Sequence, residues 1–214
     1  MFTGLIERIG RLEARGGGKL TVSVERPFDA PVKGESVSVN GVCLTLERFD
    51  ERVLVFHTLD ETLARTNLAE LPIASRLNLE RAMRADGRFG GHFVSGHVDS
   101  AAAVLEWRDV GSDRELRVAL SAEGRGLVFE KGSVAVDGVS LTVVSVDDAS
   151  FAVRLIPETL ASTALADRAA GGGVNLEFDM LAKCVKEQLN FRLGGAAEGK
   201  MTIKQLRDSG WEDA

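Results

Sequence analysis

The chain has 214 residues, 44 % of them apolar, and 26 Lys and Arg stand against 32 Asp and Glu for a net charge of −6. It can bury a real core, and its acidic balance argues against general binding to nucleic acid or to an anionic membrane. Gly is abundant at 23, Pro scarce at 4 and Tyr absent, a balance that suits many tight turns between short strands.

In chain order, Met1–Gly10 carries Glu7 and Arg8 and lacks the apolar core of a signal peptide. Leu20, Val22 and Val24, then Val37 and Val39, then Leu77 and Leu79 alternate with polar residues. That period of two marks half-buried strands. Asn40-Gly41 between apolar runs is a hairpin turn. A short helix is expected over Glu61–Leu68. The same series returns with Leu116, Val118 and Leu120, with Val134 and Val136, with the turn Asp137-Gly138, and with a helix over Glu158–Leu165 that Pro157 suits as a start. Asp179–Arg192 places Leu181, Cys184, Val185 and Leu189 at helical spacing, a narrow stripe that docks on its own domain or on copies of itself. A second short helix is expected from Thr202, with Ile203, Leu206 and Trp211 on its apolar side. No run approaches the ~18 apolar residues of a membrane span, and a cytoplasmic soluble protein is expected.

The chain repeats itself. At an offset of 97, Gly34–Leu46 matches Lys131–Val143 at seven of thirteen positions, and Glu61–Leu68 matches Glu158–Leu165 at six of eight. Asn78-Leu79-Glu80 matches Asn175-Leu176-Glu177, and a shifted match sets Thr3-Gly4-Leu5-Ile6 against Ser95-Gly96-His97-Val98. The expected organisation is a first domain over 1–96, a second over 97–178, a helix over 179–192 and a tail over 193–214. About six short strands per copy suggest two all-β, six-stranded Greek-key barrels, because closure removes exposed edges.

Cys43 and Cys184 are the only cysteines. One bridge between them is open to them, but two free thiols are the simpler reading for a reducing compartment. GGAAEGKM at Gly194–Met201 nearly spells a phosphate loop, yet Met201 stands where Ser or Thr would ligate Mg²⁺. His92 and His97 lie in the Gly-rich run Gly87–Val98, but nothing else has metal-ligand spacing. No metal site is expected, and a His in such a linker is read as structural. The copies differ most tellingly inside their best-matched motifs. Cys43 faces Ser140, His57 faces Arg154, Leu5 faces His97, Gly34 faces Lys131 and Ala82 faces Asp179. Thr45 and Thr142, and Thr62 and Thr159, supply paired hydroxyls. Two similar pockets with unequal tasks follow, and two similar ligands.

MFTGLIE at the N-terminus, NGVCLT at Asn40–Thr45, GGHFVSGHVD at Gly91–Asp99, DGVSLT at Asp137–Thr142 and IPETL at Ile156–Leu160 resemble the riboflavin synthase family over residues 1–192. The resemblance implies two lumazine-binding barrels followed by a helix that holds a homotrimer. It implies a dismutation of two 6,7-dimethyl-8-ribityllumazine molecules, in which one gives a four-carbon unit to the other. The products are riboflavin and 5-amino-6-ribitylaminouracil, with no cofactor. The active site would form between the first barrel of one subunit and the second of its neighbour. Lumazine synthase is a candidate partner; nucleic acid and membrane are not.

Carried over by motif, Cys43, His97 and Ser140 are the candidates for chemistry, with an imidazole as proton relay. Lys131 joins them, and Lys131, Ser36, Thr142 and Asp179 orient or polarise. Substrate contacts are implied for Gly4, Leu5 and Ile6; for Cys43, Leu44 and Thr45; and for His57, Thr58, Leu59, Asp60, Glu61 and Thr62. In the second copy they are Ser140, Leu141 and Thr142, and Arg154, Leu155, Ile156, Pro157, Glu158 and Thr159. Gly96, His97 and Val98 complete the set. His57 stands where an acidic or small residue is expected. A chromophore-holding antenna protein with the same two barrels would lack these reactive groups. A flavin-dependent reductase barrel would want an Arg-x-Tyr-Ser motif, and this chain has no Tyr.

Overall fold

The computed structural model describes residues 1–193. The first six strands are β1 (Arg8–Gly16), β2 (Lys19–Val24), β3 (Ser36–Val39), β4 (Val42–Phe49), β5 (Val53–His57) and β6 (Arg76–Arg81). They close into a barrel in the order β1-β2-β5-β4-β3-β6. The next six are β7 (Ser100–Val110), β8 (Asp113–Ala119), β9 (Ser133–Val136), β10 (Val139–Val146), β11 (Ser150–Leu155) and β12 (Gly173–Phe178). They close in the equivalent order, β7-β8-β11-β10-β9-β12. The alternation in the sequence is the reason. Leu20, Val22, Val37 and Leu77 point into the first barrel, and Leu116, Val118, Val134 and Val174 into the second, all fully buried. Each barrel has its own apolar core. Both hairpin turns put two residues at positive φ, Asn40 (48°) and Gly41 (81°), and Asp137 (46°) and Gly138 (78°), as a tight hairpin of this hand demands.

Strand pairing explains the shifted alignment. Arg8 pairs with Leu79 and Ser100 with Leu176, so the first strands are related by 92 positions. The β7–β8 hairpin then gains two extra pairs, Asp109 with Arg114 and Val110 with Asp113. Those four residues carry most of the change to 97.

Two helices repeat as well. α1 (Asp60–Arg65) and α2 (Pro157–Ser162) are shorter than the expected spans. Thr66 and Thr163 end them with extended backbone, and each hydroxyl donates back to the carbonyl four residues earlier. One 3-10 turn follows each, at Asn67–Ala69 and Leu165–Asp167.

The barrels are related by an approximate two-fold axis. Phe2 and Val94 exchange backbone hydrogen bonds of 2.7 and 3.2 Å across it. Gly41 and Gly138 meet there so closely that a Cβ on either would lie within 2.8 Å of the other's amide nitrogen. The surrounding interface is polar and buried. Asn78 Nδ2 donates to Asp137 O, and Asn175 Nδ2 donates to Asn40 O. Asn67 Nδ2 donates to Asp137 Oδ1, and Arg168 Nε donates to Asp137 Oδ2 at 2.6 Å. The first copy has Asn40 and Leu71 at the places of Asp137 and Arg168, so the ion pair breaks the symmetry.

α3 (Met180–Leu193) starts where the first copy has a linker. Lys183 pairs with Asp99 at 2.6 Å, and Lys186 Nζ donates to Glu123 O and Arg125 O. These bonds fix one face to the second barrel. Leu181, Val185 and Leu189, 60, 59 and 51 % exposed, form a stripe on the helix. Among the described residues, no helix is long and apolar enough to cross a membrane. Cys43 and Cys184 are free thiols. The expected helix from Thr202 and the run Gly194–Met201 lie outside the described residues.

Candidate functional site

The Cys43 position and its equivalent at Ser140 each receive a segment that leads into the other barrel. Residues Gly96–Val98 lead into the second barrel, yet Gly96 O accepts the amide of Cys43 at 2.8 Å and Val98 packs on the first core. Residues Gly4–Ile6 lead into the first barrel, yet Gly4 O accepts the amide of Ser140 at 2.8 Å and Ile6 packs on the second core. Both glycines hold φ +80° and sit where a Cβ would lie 2.6 Å from the neighbour's Cβ. Only Gly suits that conformation and that approach. Thr3–Gly4, grouped with the first barrel by sequence, therefore touches both, because an entering strand bonds the neighbouring barrel before it joins its own.

The Cys43 pocket is a cavity of about 280 Å³ lined by Val42, Cys43, Leu59, Glu61, Thr62, Arg65, Thr66, Gly96, His97 and Val98. β4 presents half-buried Cys43 from the hairpin side. α1 and its approach supply Leu59, Glu61 and Thr62. The crossing segment supplies exposed His97. Seven residues singled out by sequence thus meet in one cavity; Val42, Arg65 and Thr66 join them.

The equivalent place in the second copy differs. Ser140 pairs with Ala135 just as Cys43 pairs with Ser38. The linker folds over it, because Gly91 leaves no room for a side chain against Thr3 O and Ser140. His92, 7 % exposed, puts Nδ1 2.7 Å from Ser140 Oγ, and its Nε2 has no hydrogen-bond partner. Burial pushes the imidazole below its ordinary value of 6.5, while the nearby charges of Asp179 and Glu177 pull the other way. His92 is therefore neutral at pH 7. In the tautomer protonated at Nε2, the Ser140 hydroxyl donates to Nδ1 and its oxygen becomes more nucleophilic. From sequence a His in this linker reads as structural; its place on Ser140, 48 positions away, follows only from the folding of the linker over that strand.

The remaining differences between copies lie outside the Cys43 cavity. His57 Nδ1 faces Glu47 at 3.3 Å on the barrel exterior, whereas Arg154 bonds buried Glu115, which also holds Arg108. His57 does not line the Cys43 cavity. Gly34 and Lys131 both have positive φ, 91° and 66°, and their amides bond Leu46 O and Val143 O. Lys131 is exposed. It keeps a long cationic side chain at a conformation that glycine tolerates better. Asp179 caps α3 by accepting the Leu181 amide at 2.8 Å.

Among the other sequence-selected residues, Leu44, Leu141 and Leu155 face the cores, so only their backbones are available to a ligand. Thr45 and Thr142 are exposed on their strands; Ser36, opposite Thr45, is half-buried. Thr58 is buried with its hydroxyl unpartnered. Leu5, Asp60, Ile156, Pro157 and Glu158 are exposed, and Thr159 is half-buried.

The sequence matches the Lumazine binding domain family twice, over residues 3–82 and 95–179. It is 37 % identical to riboflavin synthase of Actinobacillus pleuropneumoniae over 215 residues, 99 % of this chain and 100 % of that one. Riboflavin synthase of Bacillus subtilis (strain 168) is equally similar, 37 % over 99 % of this chain and 100 % of its own. Riboflavin synthase of Chlamydia pneumoniae is 41 % identical over 86 % of this chain and 92 % of its own. Among solved structures, LumP complexed with riboflavin superimposes with a TM-score of 0.75 at 20 % identity, over 83 % of this chain and 99 % of that one. LumP complexed with 6,7-dimethyl-8-(1'-D-ribityl) lumazine gives 0.72, over 83 % and 98 %. That likeness is one of fold. Full-length similarity above one-third identity, and the paired domains, establish that the chain belongs to the riboflavin synthase family.

Proposed function

We propose that the protein is a riboflavin synthase, which converts two molecules of 6,7-dimethyl-8-ribityllumazine into riboflavin and 5-amino-6-ribitylaminouracil. The observation that carries this reading is a duplicated strand position that bears unlike groups, Cys43 lining a cavity in one copy and Ser140 bonded to His92 in the other. Two copies of one substrate need two similar pockets; a donor and an acceptor need different chemistry.

The acidic C7 methyl of one lumazine loses a proton, and the carbanion attacks the ring of the other. Four carbons then pass to the acceptor, and the donor leaves as the diamine. Atoms and electrons balance between the two rings, since what the acceptor gains the donor loses. Holding the rings face to face removes much of the entropic barrier. Proton movement is assigned to His97, which lines the Cys43 cavity, and to His92, which is bonded to Ser140. Cys43 and Ser140 are assigned to attack on the ring, and Lys131 and Asp179 to orienting or polarising it.

The exposed stripe of α3 supports self-association through this helix, and the assembly proposed is a homotrimer in which the first barrel of one subunit faces the second of its neighbour. Three half-exposed apolar side chains one turn apart lose that exposure when helices seam together. Deleting residues 180–214 is expected to yield monomers by sedimentation; a truncated trimer would show that the barrels hold it together. We place the enzyme in the cytoplasm, with lumazine synthase as a candidate partner. Purified protein incubated with dimethylribityllumazine alone is expected to form riboflavin, read by its fluorescence and by chromatography. Binding without flavin formation would reject the enzyme in favour of a protein that only holds the chromophore.

A further inference from the structure

Two buried carboxylates play no part in the chemistry above. Glu80 on β6 is 4 % exposed and Glu177 on β12 is 3 % exposed. Glu80 Oε1 accepts the amide and hydroxyl of Thr3 at 2.7 and 2.9 Å, and its Oε2 accepts the amide of Gly4 at 2.9 Å. Glu177 Oε1 accepts the amide and hydroxyl of Ser95 at 2.6 and 2.7 Å, and its Oε2 accepts the amide of Gly96 at 2.9 Å. Among the described residues neither carboxylate has a cationic partner within ion-pair distance. Burial pushes Glu80 above its ordinary range even against three hydrogen bonds.

An unpaired buried carboxylate is costly, and an apolar side chain would serve a barrel wall better. Both copies nevertheless spend one on three donors of a single segment. Charge-assisted bonds of this kind are short and directional, so they fix the segment's position as well as its presence. Gly4, held by the first barrel's glutamate, carries the carbonyl that receives Ser140 N in the second barrel. Gly96, held by the second barrel's glutamate, carries the carbonyl that receives Cys43 N in the first.

We infer that Glu80 and Glu177 are positioning residues with crossed authority. The glutamate of each barrel fixes the segment packed on the other barrel's reactive strand, Gly4–Ile6 beside Ser140 and Gly96–Val98 beside Cys43. Control of each reactive side chain thus resides in the domain that does not contain it. The geometric claim stands without the reaction; its consequence for turnover rests on the riboflavin synthase reading.

Thiol labelling of the full-length protein tests the claim without any substrate. In a Cys184→Ser background, the reaction of Cys43 with a small maleimide reports the Gly96–Val98 wall. In a Cys43→Ser, His92→Gln, Cys184→Ser, Ser140→Cys background, the introduced sulphur reports the Gly4–Ile6 segment without the imidazole on which the charge of Glu177 also acts. Glu177→Gln is expected to speed labelling of Cys43 by about tenfold, the scale of one lost bond to a charged group, and to leave the second reporter unchanged. Glu80→Gln is expected to do the reverse. Ser95→Ala and Thr3→Ala remove one hydroxyl from the other side of each contact. They should show the same crossed pattern at smaller size, and they serve if a glutamine variant does not fold. Equal acceleration of both reporters by either variant, or no acceleration, overturns the inference. A crossed labelling pattern in a protein that makes no riboflavin would uphold it while rejecting the proposed reaction.

Discussion

Alanine at Gly96 separates backbone strain from pocket damage. The residue holds φ +80°, which costs a side-chain-bearing L-residue about 1–2 kcal/mol. The added Cβ would also lie 2.6 Å from Cys43 Cβ and 2.9 Å from Cys43 N. Backbone cannot rotate away, so the crossing segment must lift, which adds about 1–3 kcal/mol of overpacking. The total is about 2–5 kcal/mol, within the reserve of a typical domain at ~5–15 kcal/mol, so the variant should fold. Gly171 is the control: it holds φ +83°, but a Cβ there meets nothing within 4 Å. Gly171→Ala should cost only the strain, about 1–2 kcal/mol. Urea midpoints compare the two, and titration with dimethylribityllumazine reads the pocket. Gly96→Ala should lose both stability and affinity, Gly171→Ala a little stability alone. Equal losses in the two variants, with ligand affinity intact in both, would refute the close Gly96–Cys43 contact and the crossed pocket built on it.

Other expectations follow from the same interactions. Arg168→Leu leaves Asp137 buried without its cation and should destabilise by about 3–5 kcal/mol. Adding Asp137→Asn recreates the Asn40 and Leu71 pairing of the first copy and should restore most of the loss in thermal melts. Cys43→Ser and Ser140→Ala should each lower turnover more than about tenfold, or ~1.4 kcal/mol of barrier, with unchanged circular dichroism; wild-type rates in both would remove them from the chemistry. Because burial holds His92 below its ordinary value, its neutral form stabilises the fold above pH 6.5. That share is lost as pH falls through the lowered folded value, since the unfolded chain protonates first. Denaturation midpoints of wild type should therefore fall more steeply below pH 6.5 than those of His92→Gln, and parallel curves would contradict a buried neutral imidazole.

The duplication, about six short strands per copy, the turns at Asn40-Gly41 and Asp137-Gly138, and Pro157 as the start of the second helix can be read from the chain alone. Each of these is local or periodic: alternation of apolar residues, a turn dipeptide, a fixed spacing between copies. The sequence also picked out the Cys43 and Ser140 positions, because an internal repeat lets a chain be compared with itself. The tertiary structure alone decided which residues share a pocket. Gly96 and Cys43 are separated by most of a domain, and so are Gly4 and Ser140 by more than one; their backbone bonds exist only because the two barrels face each other across a two-fold axis. The same facing brought His92 onto Ser140 and Arg168 onto Asp137. Such pairings depend on three-dimensional proximity between distant segments, and no periodicity along the chain encodes them.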